Sequence, residues 1–221
     1  MKNWIVISIL TATLLEATPL PKGFSDISQA IPNITLDIRY YGENNFIGQP
    51  IKGYHAPKAI LSTQATNALK KVETELATFG LGLKVFDAYR PQKAVDHFVR
   101  WGKDLNDKKM KAIFYPEVEK RNLFKEGYIA KHSGHSRGST IDLTLIDSET
   151  KSELDMGSPF DFFSKSSAIF YPHLSPNQRA NRMLLHTIMI KHGFKAYSEE
   201  WWHFTLKNEP FKGRYFDFDV E

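Results

Sequence analysis

The chain has 221 residues, of which 42% are hydrophobic and 24% are charged, a composition that excludes a disordered or collagen-like protein. The 29 basic and 25 acidic residues leave a net charge of +4 without any basic block, which argues against a nucleic-acid partner. Cysteine is absent, so disulfides, thiolate metal sites and a cysteine nucleophile are excluded, and any metal site must use His, Asp or Glu.

The first residues have the pattern of a secretory signal. Lys2 precedes a mostly apolar stretch, Trp4 to Leu15, that is too short to span a bilayer. We therefore expect residues 1–17 to be a signal peptide and residues 18–221 to form one domain, exported to the periplasm and not inserted in the membrane after processing. The alternative is that this stretch is a helix or strand of the domain, in which case the protein stays in the cytoplasm.

The segments that follow predict strands alternating with helices. Residues 33–40 alternate apolar and polar side chains, which is typical of a strand. Residues 61–79 place apolar side chains on one helical face, and Gly80 suits the position after the helix. Residues 83–86 predict a second strand, and Pro91 can open the next helix at its first turn.

The second half of the chain predicts a polar loop, a helix and three more strands. The loop covers residues 131–140, and a strand follows over residues 141–146. Ser175, with proline next and glutamine three residues on, is typical of a capping box, so we expect a helix from there to about His192. Two strands joined by a tight turn are predicted over residues 194–197 and 201–206. This mixture favours an α+β fold, a compact single domain with a mainly antiparallel sheet flanked by helices.

One group of polar residues predicts a metal site. His135 lies in the predicted loop, Asp142 begins the strand after it, and His203 lies in the last strand. Three nitrogen and oxygen ligands that leave a fourth position open are the pattern of a catalytic zinc site. The alternative is a polar loop, a buried aspartate and a histidine that is hydrogen-bonded in the core.

Glu200 supplies a carboxylate close to His203 in the sequence. Residues three apart on a regular strand face opposite sides of the sheet. Glu200 and His203 can therefore meet at one site only if Glu200 lies in the preceding turn or at a bulge, which we expect.

Three segments carry a resemblance to a known family. They are DAYRPQ at 87–92, SGHSRGSTIDLTL at 133–145 and EWWH at 200–203, supported by DIRY at 37–40 and MGSPFDF at 156–162. In sequence and order they resemble the zinc-dependent D-alanyl-D-alanine dipeptidases of the VanX type, over nearly all of the chain after the signal. The resemblance implies the compact α+β fold that D,D-peptidases share with the Hedgehog signalling domain.

The resemblance also implies roles for individual residues. One zinc ion per chain is expected to bind to three ligands: His135, Asp142 and His203. Two residues are expected to act in catalysis, as base and as oxyanion partner respectively: Glu200 and Arg90. Three residues are expected to line the pocket for the ammonium group of the substrate: Asp161, Ser133 and Tyr40. Gly134 departs from the pattern of the family, because a relative of this type has serine at that position.

The expected reaction is hydrolysis of the dipeptide D-Ala-D-Ala to two D-alanines. Because cell-wall precursors are built in the cytoplasm, an exported enzyme would recycle or scavenge dipeptide and would not confer glycopeptide resistance. Two alternatives stay open. One is a D,D- or L,D-carboxypeptidase that trims murein peptides, and the other is a non-catalytic, zinc-containing binding module.

Overall fold

The computed structural model describes residues 19–221. The predicted signal peptide, residues 1–17, lies outside the described residues. Within the described part of the chain, no helix is both long and apolar enough to cross a membrane.

Seven strands and five α-helices make up the described chain. The strands are β1 (Phe24–Asp26), β2 (Thr35–Leu36), β3 (Ile60–Ser62), β4 (Leu81–Asp87), β5 (Thr140–Asp147), β6 (Phe194–Tyr197) and β7 (Glu200–Leu206). The helices are α1 (Ile27–Ala30), α2 (Thr63–Ala77), α3 (Gln92–Lys103), α4 (Lys111–Phe114) and α5 (Pro176–Lys191). The predicted α+β fold is therefore present, with helices and strands interspersed along the chain.

A five-stranded sheet in the order β2-β4-β5-β7-β6 forms the centre of the fold, and β1 pairs with β3 in a second, two-stranded sheet. Every neighbouring pair in the larger sheet is antiparallel except β2 with β4. The central strand β5 is buried along almost its whole length, on both faces of the sheet. Such a strand needs apolar residues on both sides, and any polar group on it must find a partner.

Two helices cover the sheet, and each follows its sequence pattern. The α2 helix buries Ala65, Leu69, Val72 and Leu76 along one stripe, as the 3.6-residue period requires. The α5 helix begins with the predicted capping box. The Ser175 hydroxyl accepts from the backbone N–H of Gln178, and the Gln178 side-chain oxygen accepts from the backbone N–H of Ser175.

The predicted strand over residues 33–40 is wrong in extent. Only Thr35 and Leu36 pair with β4 as a regular strand. The chain then turns into a loop around the buried side chain of Asn45, whose amide donates to the carbonyls of Gly42 and Gln49 at 2.8 and 2.9 Å. The backbone N–H groups of Asp37 and Arg39 still donate to carbonyls of β4, at 2.9 and 3.1 Å, so the chain follows β4 beyond its regular pairing before this loop begins. A smaller difference is that Pro91 precedes the first turn of α3 and does not lie in it.

The capping box yields a stability prediction. Ser175→Ala removes the hydroxyl that accepts from the start of α5, so we expect the free energy of unfolding to fall by about 1 kcal/mol. Chemical denaturation monitored by circular dichroism measures this loss. Ser148→Ala, in an exposed turn, serves as the control and should change stability by less than about 0.5 kcal/mol. Equal stability of the two variants would contradict the assigned cap.

Candidate metal centre and active site

Three elements bring the predicted metal ligands together. His135 lies on a single 3₁₀ turn, Gly134–Arg137, that leads into β5. Asp142 on β5 pairs directly with His203 on β7 in the antiparallel register. Directly paired residues project from the same face of a sheet, so the register alone places this carboxylate beside this imidazole. One ligand atom from each of the three residues lies within 4.8 Å of the others.

A backbone hydrogen bond orients the His135 ring. Its Nδ1 lies 2.7 Å from the carbonyl oxygen of Ala88, which can only accept, so Nδ1 carries the proton and Nε2 is left as the free nitrogen. Nε2 points into the cluster, 3.3 Å from Asp142 Oδ2 and 3.4 Å from His203 Nδ1. Fixing a ligand's tautomer through its other ring nitrogen is a common feature of metal-binding histidines.

The chemistry of the three donors fits a zinc ion. Among residues 19–221, no group forms a hydrogen bond of good geometry with the buried Oδ1 of Asp142, although His203 Nδ1 lies 3.0 Å away. Burial alone would raise the pKa of Asp142, but the adjacent His135 and His203 lower it below its usual range, so the carboxylate is ionised. An ionised carboxylate and two imidazole nitrogens directed at one point form a set of three zinc ligands that leaves a fourth position open.

Glu200 reaches the same site because β7 is irregular at its start. Ala196 of β6 pairs with Phe204, whereas Tyr197 pairs with Glu200, so the residues between Glu200 and Phe204 have no counterparts on β6. This bulge confirms the expectation from the spacing of the two residues, since it re-aims the side chains of one strand. The Glu200 Oε2 atom lies 3.5 Å from Nδ1 of His203.

The surroundings of Glu200 favour proton transfer. Burial raises the pKa of its carboxyl, partly opposed by His203 and reinforced by the negative charge of Asp142. A carboxylate whose pKa lies closer to neutrality is a better proton acceptor at neutral pH than an ordinary exposed glutamate.

Arg90 lies at the edge of the cluster and is held by an ion pair. Its Nε and Nη2 atoms lie 2.9 and 2.8 Å from Oδ2 of the buried Asp87. The guanidinium packs over the ring of Tyr40, 4.9 Å from the ring centre, and Nη2 lies 3.6 Å from Asp142 Oδ2. A salt bridge to Asp87 and a position facing the site are therefore compatible, and Asp87 fixes the direction of the arginine.

Asp87 supports the site, although the sequence indicated it only as an alternative salt-bridge partner of Arg90. It accepts a 2.6 Å hydrogen bond from the hydroxyl of Tyr54, and its Oδ2 lies 3.4 Å from His135 Nδ1. One buried carboxylate thus contacts both Arg90 and a predicted metal ligand. The motif around Asp87 was visible in the sequence, but the partner Tyr54 lies in a loop that carries no recognisable pattern.

Asp161 and Tyr40 form a buried pair on the far wall of the site. The Tyr40 hydroxyl donates to Asp161 Oδ2 at 2.8 Å. Burial raises the pKa of Asp161 well above its usual range, and the negative charge of Asp142 adds to this effect. The backbone φ of Asp161 is +58°, a left-handed conformation that is uncommon for residues other than glycine. A partner cation would relieve the cost of burying this carboxylate.

A single cavity of about 360 Å³ connects these groups. All eight residues singled out from the sequence line it: Tyr40, Arg90, Ser133, His135, Asp142, Asp161, Glu200 and His203. Two tyrosines that the sequence did not single out, Tyr128 and Tyr197, also line it. Tyr197 packs edge-on against His203, with ring centres 5.7 Å apart. The sequence gave no signal for these two residues, because each is an isolated tyrosine at the end of a loop or strand.

Comparisons with known proteins identify the family of this chain. Residues 21–221 match the family Peptidase_M15, described as D-ala-D-ala dipeptidase. D-alanyl-D-alanine dipeptidases from Enterococcus faecium and Streptomyces coelicolor are 37% and 38% identical, over 90% and 89% of this chain and 98% of each relative. A protein of the same name from Escherichia coli is 33% identical over 82% of this chain and 83% of its own length.

Among solved structures, a vancomycin-resistance D,D-pentapeptidase VanY in complex with Zn(II) aligns with a TM-score of 0.40 at 13% identity. The alignment covers 68% of this chain and 74% of that one, a likeness too low to bear on function. The family match and the curated relatives each span most of the chain. On that basis the chain belongs to the Peptidase_M15 family of D-Ala-D-Ala dipeptidases.

Proposed function

We propose that this protein is a zinc-dependent dipeptidase that hydrolyses D-Ala-D-Ala to two D-alanines. One observation carries the proposal: a His, Asp, His cluster and a buried Asp–Tyr pair line the same small cavity. The cluster suits hydrolysis of an amide, and the buried carboxylate suits the free ammonium group that distinguishes a dipeptide from the end of a longer peptide.

His135, Asp142 and His203 would hold the zinc ion. When bound, zinc would act as a Lewis acid and lower the pKa of water to about 7, which would make hydroxide available at neutral pH. Glu200, whose Oε2 lies 3.5 Å from Nδ1 of His203, would take the proton of the attacking water and deliver it to the departing nitrogen.

Arg90 would stabilise the negative charge that develops on the substrate's carbonyl oxygen. Its guanidinium lines the cavity and is fixed by Asp87, so no reorganisation is needed as the charge forms. Its planar donor group offers two hydrogen bonds in a defined direction, which a lysine ammonium does not.

Asp161 would pair with the substrate's ammonium group, with Tyr40 and Ser133 beside it. The Tyr40 hydroxyl donates its hydrogen bond to Asp161. Burial and the negative charge of Asp161 raise the pKa of Tyr40 well above its usual range, so this hydroxyl keeps its proton. A carboxylate oriented by a neutral donor is a strong partner for a cation that leaves water.

The volume of the cavity supports a small substrate. At about 360 Å³ it lies near the lower end of the ~300–1,000 Å³ that ligand sites usually occupy. A dipeptide with methyl side chains suits this space better than a murein peptide, which would be the substrate if the protein were a carboxypeptidase.

The N-terminal sequence supports a physiological role for this activity. A mostly apolar stretch after Lys2 favours export, and an exported dipeptidase acts on dipeptide outside the compartment where precursors are made. We assign it to recycling or scavenging of cell-wall dipeptide.

The reaction and its metal are tested together. The mature protein should release D-alanine from D-Ala-D-Ala, lose the activity with a chelator and regain it with added zinc. L-Ala-L-Ala and a muropeptide ending in D-Ala-D-Ala should be poor substrates. Asp142→Asn should lower the zinc content measured by mass spectrometry, whereas Asp147→Asn, at the other end of β5, should not. Preferred cleavage of the muropeptide would instead support a carboxypeptidase.

The role of Glu200 is tested by Glu200→Gln. Removing a general base lowers the turnover number by roughly 10²–10⁴-fold, and we expect that loss here with zinc still bound. Glu199→Gln, one residue earlier in the exposed turn, is the matched control and should keep nearly full activity. A Glu200→Gln enzyme with wild-type kcat would contradict the mechanism.

The proposed export is tested by fractionation of the native cells. N-terminal sequencing of the purified protein should begin after residue 17, and the protein should be released with the periplasmic fraction. A cytosolic protein that retains Met1 would contradict the recycling role.

A further inference from the structure

Arg182 is a fully buried arginine on α5, outside the cavity of the active site. Its side chain is 1% exposed, and it donates four hydrogen bonds. Three go to backbone carbonyls: Nε to Met156 at 2.6 Å, Nη1 to Ala168 at 2.6 Å and Nη2 to Ser166 at 2.9 Å. The fourth goes from Nη2 to the hydroxyl of Ser158 at 3.3 Å.

These acceptors lie at the two ends of one irregular segment. Residues 156–168 run from the first acceptor to the last, and Asp161 lies near the middle. The Arg182 guanidinium therefore bridges the entry and the exit of the loop that carries Asp161. Holding both ends of a loop removes much of the conformational freedom of the residues between them.

Ser158 links the same network to the strand that carries Glu200. Its hydroxyl accepts from the indole Nε1 of Trp201 at 3.0 Å and lies 3.2 Å from the hydroxyl of Ser167. Trp201 directly follows Glu200 in β7. The loop that carries the ammonium partner is thus tied to the strand that carries the proposed base.

Asp161 needs such external support. Its left-handed backbone conformation, at φ +58°, costs free energy and persists only where the surroundings impose it. Tyr40 fixes one carboxylate oxygen, but no bond to Tyr40 can set the path of the backbone on either side.

A buried arginine is a costly way to hold a loop. Burial lowers the pKa of Arg182 to about 10, so the group is still charged at neutral pH. Within residues 19–221, no carboxylate forms an ion pair with this guanidinium. Its hydrogen bonds go to three backbone carbonyls and one hydroxyl. Arg179, one turn earlier on α5, gives the contrast: it is exposed and donates to the carbonyls of Pro172 and Leu174, beyond the loop.

We propose that Arg182 is a positioning residue for substrate specificity, which holds the 156–168 loop so that Asp161 meets the substrate's ammonium group. This inference rests on the proposed dipeptidase function. Arg182 touches no substrate, and its effect passes through Asp161.

The test compares Arg182→Lys with Arg179→Lys in the zinc-loaded full chain. Lysine keeps the charge but cannot bridge three carbonyls with one planar group. We expect the KM for D-Ala-D-Ala to rise about 10- to 100-fold in Arg182→Lys, the range for loss of one charged hydrogen bond, with kcat within about 3-fold. Arg179→Lys should leave both constants unchanged.

A double-mutant cycle with Asp161→Asn separates positioning from general destabilisation. If Arg182 acts through Asp161, Arg182→Lys should change the KM by less than about 2-fold once Asp161 is already replaced. Ser158→Ala gives a milder change in the same network and should raise the KM by about 3- to 10-fold. Zinc content and thermal unfolding of each variant show that the comparison is made on folded, loaded protein.

The outcomes separate this inference from the proposed function. Wild-type protein that does not cleave D-Ala-D-Ala with zinc bound overturns the proposed function and, with it, this inference. If the wild type cleaves the dipeptide but the effects of Arg182→Lys and Asp161→Asn on KM simply multiply, only the inference is overturned. If Arg182→Lys does not fold, an unchanged KM in Ser158→Ala overturns it.

Discussion

The hydrogen-bonded register of three neighbouring strands is the constraint on which this molecule depends. Asp87 on β4 pairs with Asp142 on β5, and Asp142 pairs with His203 on β7. Two acids and a histidine thus lie in one row across the sheet, close to the turn that carries His135. Adjacent like charges in a sheet are unfavourable unless cations lie beside them. Arg90 lies beside these two acids, and the proposed zinc ion would add a second cation.

The buried charges around this row explain why so many residues of the site are supporting ones. Asp87, Asp161 and Glu200 all have their pKa values raised by burial, so each carboxylate costs free energy in the folded protein. Asp87 accepts from Tyr54 and Arg90, and Asp161 accepts from Tyr40. The Glu200 carboxylate lies 3.5 Å from Nδ1 of His203. The site gives up stability in order to hold several acids close together, which is common where catalysis needs shifted pKa values.

Much of this arrangement could be predicted from the sequence, and the exceptions have physical reasons. The α5 helix was predictable because its cap and its end depend on local chemistry alone. Eight of the cavity-lining residues could be named because five segments resemble those of a known family, although the spacing of Glu200 and His203 showed only that a turn or a bulge was needed. Arg182 could not be identified, because three of its four acceptors are backbone carbonyls, which leave no trace in the sequence. The strand over residues 33–40 was overextended, because the chain keeps only single backbone hydrogen bonds to β4 after Leu36 and then enters a loop that the buried Asn45 amide organises.

The strand β7 carries both Glu200 and His203, and it follows in the chain the elements that carry His135 and Asp142. Translation therefore produces two of the proposed metal ligands before the third ligand and the proposed base. A truncated product that lacks this strand would have neither a full set of these ligands nor that proton acceptor. On the proposed mechanism, a nascent chain is therefore inert until β7 joins the sheet.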